Sequence, residues 1–542
     1  MANKIKDKYD AIIVGGGHNG LVAAAYLGKA GLDTLVVEKR DLLGGCCVTE
    51  EDIFPGYKIS ATSYVSSLFH PKIIKELDLH ENGLEFITRD PPSFTPFLSG
   101  DHLFSWQEMG KTVSDISRFS KRDAEAYPRY EATLSRISEF IDPLLLMTPP
   151  DHLSNSMGNL WDVLKMSKSA RQLDHNDMRV LMQLMSCSAS DFLNQWFESE
   201  EVKSTLATDG IIGAYAGVET PGTAYVLLHH VMGGVTDTDG EFHRGRWAYV
   251  KGGMGGIPDA IVNYTTSNNL NVDYLTGTSI NEIVVDDSKV QGVRLDNGNM
   301  IEADIVASGV DPNITYLKLI DDDHLHPDFV RNIENYRFRG ATTKVNLVLS
   351  ELPDFNCIQE TQRGPQHNGT IHVCEDMEYM ETAWEDAKHG RTSQNPILEC
   401  TIPSVYDNTL VPDGSGHHVM NIFVLYGPKE LKDNNWNTEG PKFLSRVIDT
   451  LEKYAPNIPG SIVHKQIITP DDLESKYSLT GGCIFHGSMG LDQLFSARPL
   501  PGYAQYRGPI KGLYMCGSGT HPGGGVTGIP GHNAAREILK DR

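Results

Sequence analysis

The sequence predicts an α/β fold: a Rossmann-type dinucleotide-binding domain, discontinuous along the chain, carrying a mixed-sheet substrate domain and a helical cap. Three observations predict it. An apolar strand runs into Gly15-Gly16-Gly17-His18-Asn19-Gly20 and an Ala-rich helix. The stretch 105–205 turns charged and helix-periodic. Beta-patterned runs return over 270–310 and 340–470, before a last strand, glycine loop and helix from 511. The expected dinucleotide domain therefore comprises 1–100, 246–312 and 476–542, the cap 101–245, and the β-rich substrate domain 313–475.

Asp10 to Val14 is the strand, LVAAAYLGKAG has helical composition and ends at a C-cap glycine, Gly31, and Thr34 to Val37 is the second strand. Gly15, Gly17 and Gly20 meet the GxGxxG spacing: a tight turn, a close backbone approach to a diphosphate, and close packing of helix on strand. Glu38 closes the second strand 18 residues after Gly20, where a carboxylate binds a ribose 2′-OH. FAD and NAD share this fold, so the fingerprint alone does not choose. Gly44-Gly45 follows the carboxylate closely and lets the backbone pass beside a flavin's phosphate and ribityl chain.

In the cap, FIDPLLLM and MRVLMQLM form apolar faces and Pro149-Pro150 punctuates them. Asp296-Asn297-Gly298 reads as a hairpin turn. The stretch from Gly512 to Val526 ends in consecutive glycines ahead of a helix over 530–539, which exposes N–H donors and a positive dipole end suited to a reduced flavin ring.

Composition bounds the function. At 542 residues, about 100–200 per unit gives two to four subdomains, and 40% hydrophobic with 22% charged residues is ordinary for a folded soluble enzyme. A formal charge of -24 repels phosphate backbones, which argues against nucleic acid as a partner. No apolar run reaches the roughly 18 residues of a membrane span, although peripheral membrane contact stays open. MANKIKDKYDAII leads straight into a strand with no leader visible, so the expected compartment is the cytoplasm. Eight scattered cysteines without CxxC spacing indicate neither a metal site nor a disulfide framework.

Taken together, the GxGxxG…E…GG unit and the GTHPGGG stretch resemble the phytoene desaturase-like branch of the flavin amine oxidase superfamily. The resemblance implies FAD, with Gly15, Gly17, Gly20, Glu38, Arg40, Gly44 and Gly45 in contact with it. It also implies Ile280 near the adenine, and Gly517, Ser518, Gly524 and Val526 near the ribityl chain and ring. The sequence departs from the pattern at Ser518, where many relatives carry Asp for the ribityl hydroxyls.

The expected chemistry is hydride transfer from a substrate C–C or C–N bond to the flavin, with O2 or a quinone-type acceptor reoxidising it. His521 is the expected catalytic residue, because its motif brings it to the flavin. His229 and His230 are candidates for the cavity wall, as are Tyr215 and Tyr249. Two other readings stand beside it: an isomerase or saturase of a polyene or lipid, and a non-catalytic, flavin-stabilised interaction protein. A dithiol reductase is disfavoured, since Val48-Thr49-Glu50-Glu51-Asp52 follows Cys46-Cys47 where a second redox cysteine belongs. Gly252-Gly253-Met254-Gly255-Gly256 lacks the acidic residue that completes an NAD site and reads as a flavin- or substrate-side turn.

Overall fold

The computed structural model describes residues 5–151, 173–236, 241–359 and 362–542. Two seven-stranded sheets organise them. In the first, the buried strand Lys8–Val14 pairs in parallel with Thr34–Val37 on one side and Met300–Ser308 on the other. Val272–Leu275 extends one edge and Leu513–Met515 joins Met300–Ser308, so this sheet is assembled from three distant parts of the chain. The Asp296-Asn297-Gly298 turn links the antiparallel strands Lys289–Leu295 and Met300–Ser308, with Gly298 at φ +84°. The helices His18–Lys29, Gly256–Ser267 and Ile529–Asp541 share one core with a face of this sheet.

The second sheet is mixed. Its central strands Thr342–Leu349, His418–Leu425 and Ile397–Thr401 are antiparallel and buried nearly throughout, whereas Ser93–Pro96 pairs in parallel with Thr370–Val373. The cap is helical where described: Lys121–Leu145 carries FIDPLL and His175–Ser186 carries MRVLMQLM. Glu200–Ile211 and Thr223–Val231 pack with them on a common apolar core that reaches Phe423 and Leu425 of the second sheet. The cap thus sits on the second sheet and leaves the carboxyl ends of the first sheet's parallel strands facing the junction, where ligands bind in open α/β sheets.

Candidate active site

The turn between the first strand and helix needs its glycines for steric reasons. Gly15 has φ +90°, and a Cβ on Gly20 would lie 2.4 Å from the Gly15 carbonyl oxygen. Gly17 caps the helix without a side chain, and no acidic residue occupies the first turn, so the helix's free N–H groups and positive end face the junction. Glu38 is buried. Its carboxylate accepts from the N–H of Gly16 (2.7 Å) and of Arg40 (3.0 Å), which fixes it beside the glycine turn. Gly44 and Gly45 complete the cradle. Gly44 bridges to Gly17, and a Cβ on Gly45 would stand 3.1 Å from the Cα of Gly17.

A cavity of about 370 Å3 opens from this turn, within the range of ligand sites. Its near end is lined by Gly15, Gly17, Gly20, Glu38, Arg40, Gly45 and Ile280, and its middle by Ser518 and Val526. Nine of the expected contact residues therefore share one wall. Gly44, Gly517 and Gly524 do not line it; they let backbones approach. A Cβ on Gly517 would strike the Gly309 carbonyl oxygen at 2.3 Å, and one on Gly524 would strike Phe485. Ser518 accepts from the Asn19 side-chain amide (3.0 Å), joining the C-terminal loop to the first helix. Arg40 turns to Glu50 (2.6 Å), which also meets Lys476 (2.6 Å) and the Tyr477 hydroxyl (2.8 Å). Burial raises the Glu50 carboxyl, but these partners together hold it below the usual range.

Among the buried polar atoms of the cavity wall without a hydrogen-bond partner are His18 Nε2, Asn19 Oδ1 and His486 Nδ1. Unpartnered polar atoms beside an exposed helix N-terminus are what a dinucleotide with its anionic linker satisfies, so the residues present fit such a cofactor.

The far end of the cavity carries groups that the sequence reading missed. Lys344, Phe423, Glu399 and His372 follow one another in register across four adjacent strands of the second sheet. Lys344 and Glu399 line the cavity with Phe423, Tyr64, Trp247 and His230. The Tyr64 hydroxyl donates to Glu399 Oε1 (2.8 Å), and Lys344 Nζ stands 3.7 Å from the centre of the Tyr64 ring. Neither Lys344 Nζ nor Glu399 Oε2 has a hydrogen-bond partner. Burial pushes the Lys344 amine well below its ordinary value. It pushes the Glu399 carboxyl up to about 7, with help from the Asp209 carboxylate. His230 Nδ1 contacts the carbonyls of Asp209 (2.8 Å) and Val226 (3.0 Å), so this nitrogen carries the proton and Nε2 is the acceptor. One signal was legible: each of Lys344 and Glu399 interrupts an otherwise uncharged or apolar strand, TTKVNLVL and ILECT.

Other expected residues lie elsewhere. His521 does not line the cavity. Its Nε2 donates to the Leu144 carbonyl (2.9 Å), its ring meets Phe495 edge-on, and burial holds it neutral with a pKa of about 4. The expectation that it stands at the reacting centre is corrected: the motif's glycines bring the backbone to the cavity and turn this ring toward the cap. His229 bonds the Gly524 carbonyl (3.1 Å), leaving His230 as the cavity member of the pair. Tyr215 packs edge-on against Trp384, and Tyr249 lies under Arg89. The 252–256 turn is corrected too. It packs on Thr49 and Asp407 through the N–H groups of Gly255 and Gly252 and opens a helix, outside the cavity wall.

A family profile described as an NAD(P)-binding Rossmann-like domain matches residues 13–75. Pyridine nucleotide-disulfide oxidoreductase domain-containing protein 2 of Rattus norvegicus is 40% identical over 99% of this chain and 94% of its own. A lycopene-forming phytoene desaturase of Pseudescherichia vulneris is 25% identical over 96% of each chain. Among solved structures, cyclohexylamine oxidase from Brevibacterium oxydans has a TM-score of 0.57 at 17% identity, over 98% of this chain and 99% of its own.

Proposed function

Because the chain belongs to the family of pyridine nucleotide-disulfide oxidoreductase domain-containing protein 2, an oxidoreductase family with the fold of flavin amine oxidases, we propose that it is an FAD-dependent oxidoreductase acting on a C–C or C–N bond of a small molecule. One observation carries the reading: a single cavity joins the glycine turn and Glu38 to the Lys344–Glu399 row. Gly15 to Gly20 hold the diphosphate on the helix N-terminus, Glu38 the adenosine ribose, and Asn19 with Ser518 the ribityl hydroxyls. When bound, FAD supplies the two-electron step by accepting hydride from the substrate C–H. O2 or a quinone-type acceptor closes the cycle.

The chain's own contribution is orientation and proton handling. Phe423, Tyr64 and Trp247 pack the substrate and keep water out. Glu399, with a pKa of about 7, is matched to exchanging a proton near neutral pH. Lys344, whose amine burial holds well below its ordinary range, presents Nζ to the substrate as a group able to take up a proton. The thiols argue for this chemistry over dithiol exchange: Cys46 is held up at about 12 by burial, and Cys47 Sγ donates to the Met254 carbonyl (3.3 Å).

The test is untargeted metabolite depletion by the purified flavoprotein with an artificial electron acceptor, followed by anaerobic mixing with the depleted compound. Bleaching of the flavin supports oxidation. Product without bleaching would assign the chain to the isomerases or saturases instead.

A further inference from the structure

We propose that Arg498 is the fixed counter-charge of the bound flavin, a sealed cation that favours the reduced, more negative form of the cofactor over the oxidised one. The proposal rests on the FAD reading above.

Arg498 has 0% exposure and heads the large, fully buried side chains. Its guanidinium donates to backbone carbonyls only: Phe485 (2.6 Å), Ser518 (2.8 Å), Gln493 (3.1 Å) and Ser488 (3.2 Å) among them. Among the described residues no carboxylate pairs with it. Carbonyl oxygens satisfy its N–H groups without cancelling its charge, and an uncompensated charge taken out of water is costly to keep.

Its position says what answers that charge. Of the backbone it ties together, Phe485 and Ser518 line the cofactor cavity, so Arg498 stands directly behind the cavity wall. A Cβ on Gly523 would lie 3.6 Å from its Nε, which puts the guanidinium against the C-terminal glycine loop as well. Burial and then the Arg498 charge hold the cavity histidine His486 down at about 4, the direction that a positive charge behind this wall imposes. A fixed positive charge in a dry wall acts on whatever negative charge develops in front of it, and costs no reorganisation when that charge appears. A structural clamp alone needs the hydrogen bonds and not the net charge, and this difference is testable.

The measurement is the midpoint potential of the flavin in the purified holoprotein. Arg498→Met should lower it by at least about 30 mV, a tenfold loss in preference for the two-electron-reduced form, while Arg498→Lys keeps most of the wild-type value. Because Arg498→Met strands several carbonyls and can fail to fold, a second pair leaves Arg498 in place. Met489 lies on the same side of Gly523, its Sδ 2.6 Å from the same Cβ position, and Met489→Glu supplies the missing carboxylate where Met489→Gln does not. Met489→Glu should lie at least about 30 mV below Met489→Gln. Equal potentials for this pair, or a wild-type potential in folded Arg498→Met, would overturn the proposal. A wild-type protein that holds no flavin would overturn the FAD reading itself, a distinct result.

Discussion

Lys344 and Glu399 stand in one cross-strand row, each directly opposite Phe423 from its own side. With strands about 4.8 Å apart, their backbones lie about 10 Å apart, and both side chains face the cavity beneath the cap. Burial outweighs pairing at both ends: the amine is pushed down and the carboxyl up. The row therefore offers two buried proton-exchanging groups whose charged forms are both disfavoured by burial.

Lys344→Met should give a more stable but slower protein. The folded pKa is lowered, so below the unfolded value the unfolded chain binds the extra proton, and the buried amine costs stability at pH 7. Removing it should raise stability by about 1–3 kcal/mol, read as a higher Tm. Substrate-driven flavin reduction should fall by about 10²–10⁴-fold. An unchanged rate would remove Lys344 from the chemistry.

Glu399→Gln should flatten the pH dependence of stability. Glu399's folded pKa of about 7 exceeds the ordinary 4.5, so its contribution is fully present below pH 4.5 and is lost as pH rises toward 7. Denaturant unfolding of the variant from pH 4.5 to 7 should show a shallower fall than wild type, by up to one proton's slope. Equal slopes would mean that Glu399 is solvated and ordinary.

Glu38→Gln and Glu38→Ala separate two roles of one carboxylate. Loss of a charge-assisted hydrogen bond costs about 1.5–3 kcal/mol, so FAD affinity measured by fluorescence should fall at least about tenfold in both. Because Glu38 also accepts the N–H groups of Gly16 and Arg40, the Ala variant should lose more. Wild-type affinity in either variant would exclude Glu38 as the ribose ligand.

His521→Ala should spare turnover and weaken the fold. The side chain links the C-terminal loop to the Leu144 carbonyl and packs on Phe495, so its removal should cost about 1–3 kcal/mol in denaturant unfolding. A variant of wild-type stability with a 10²-fold slower flavin reduction would return His521 to the reacting centre.

The glycine-turn end of the cavity was legible because its constraints are local. Gly15, Gly17, Gly20 and Glu38 announce themselves within one strand–turn–helix–strand unit, where spacing alone implies geometry. The far end was not. Lys344, Glu399 and Tyr64 are separated by long stretches of chain and meet only through strand register, which depends on which strands pair. His521 misled for a related reason: the glycines around it fix the backbone's path, while the direction of its ring is set by Leu144, far away in sequence.

FAD dependence is decided by releasing the cofactor from purified wild-type protein with acid or heat and identifying it by chromatography and absorbance. One non-covalent FAD per chain should be recovered. Recovery of NAD or FMN in its place, or no nucleotide at all, would contradict it.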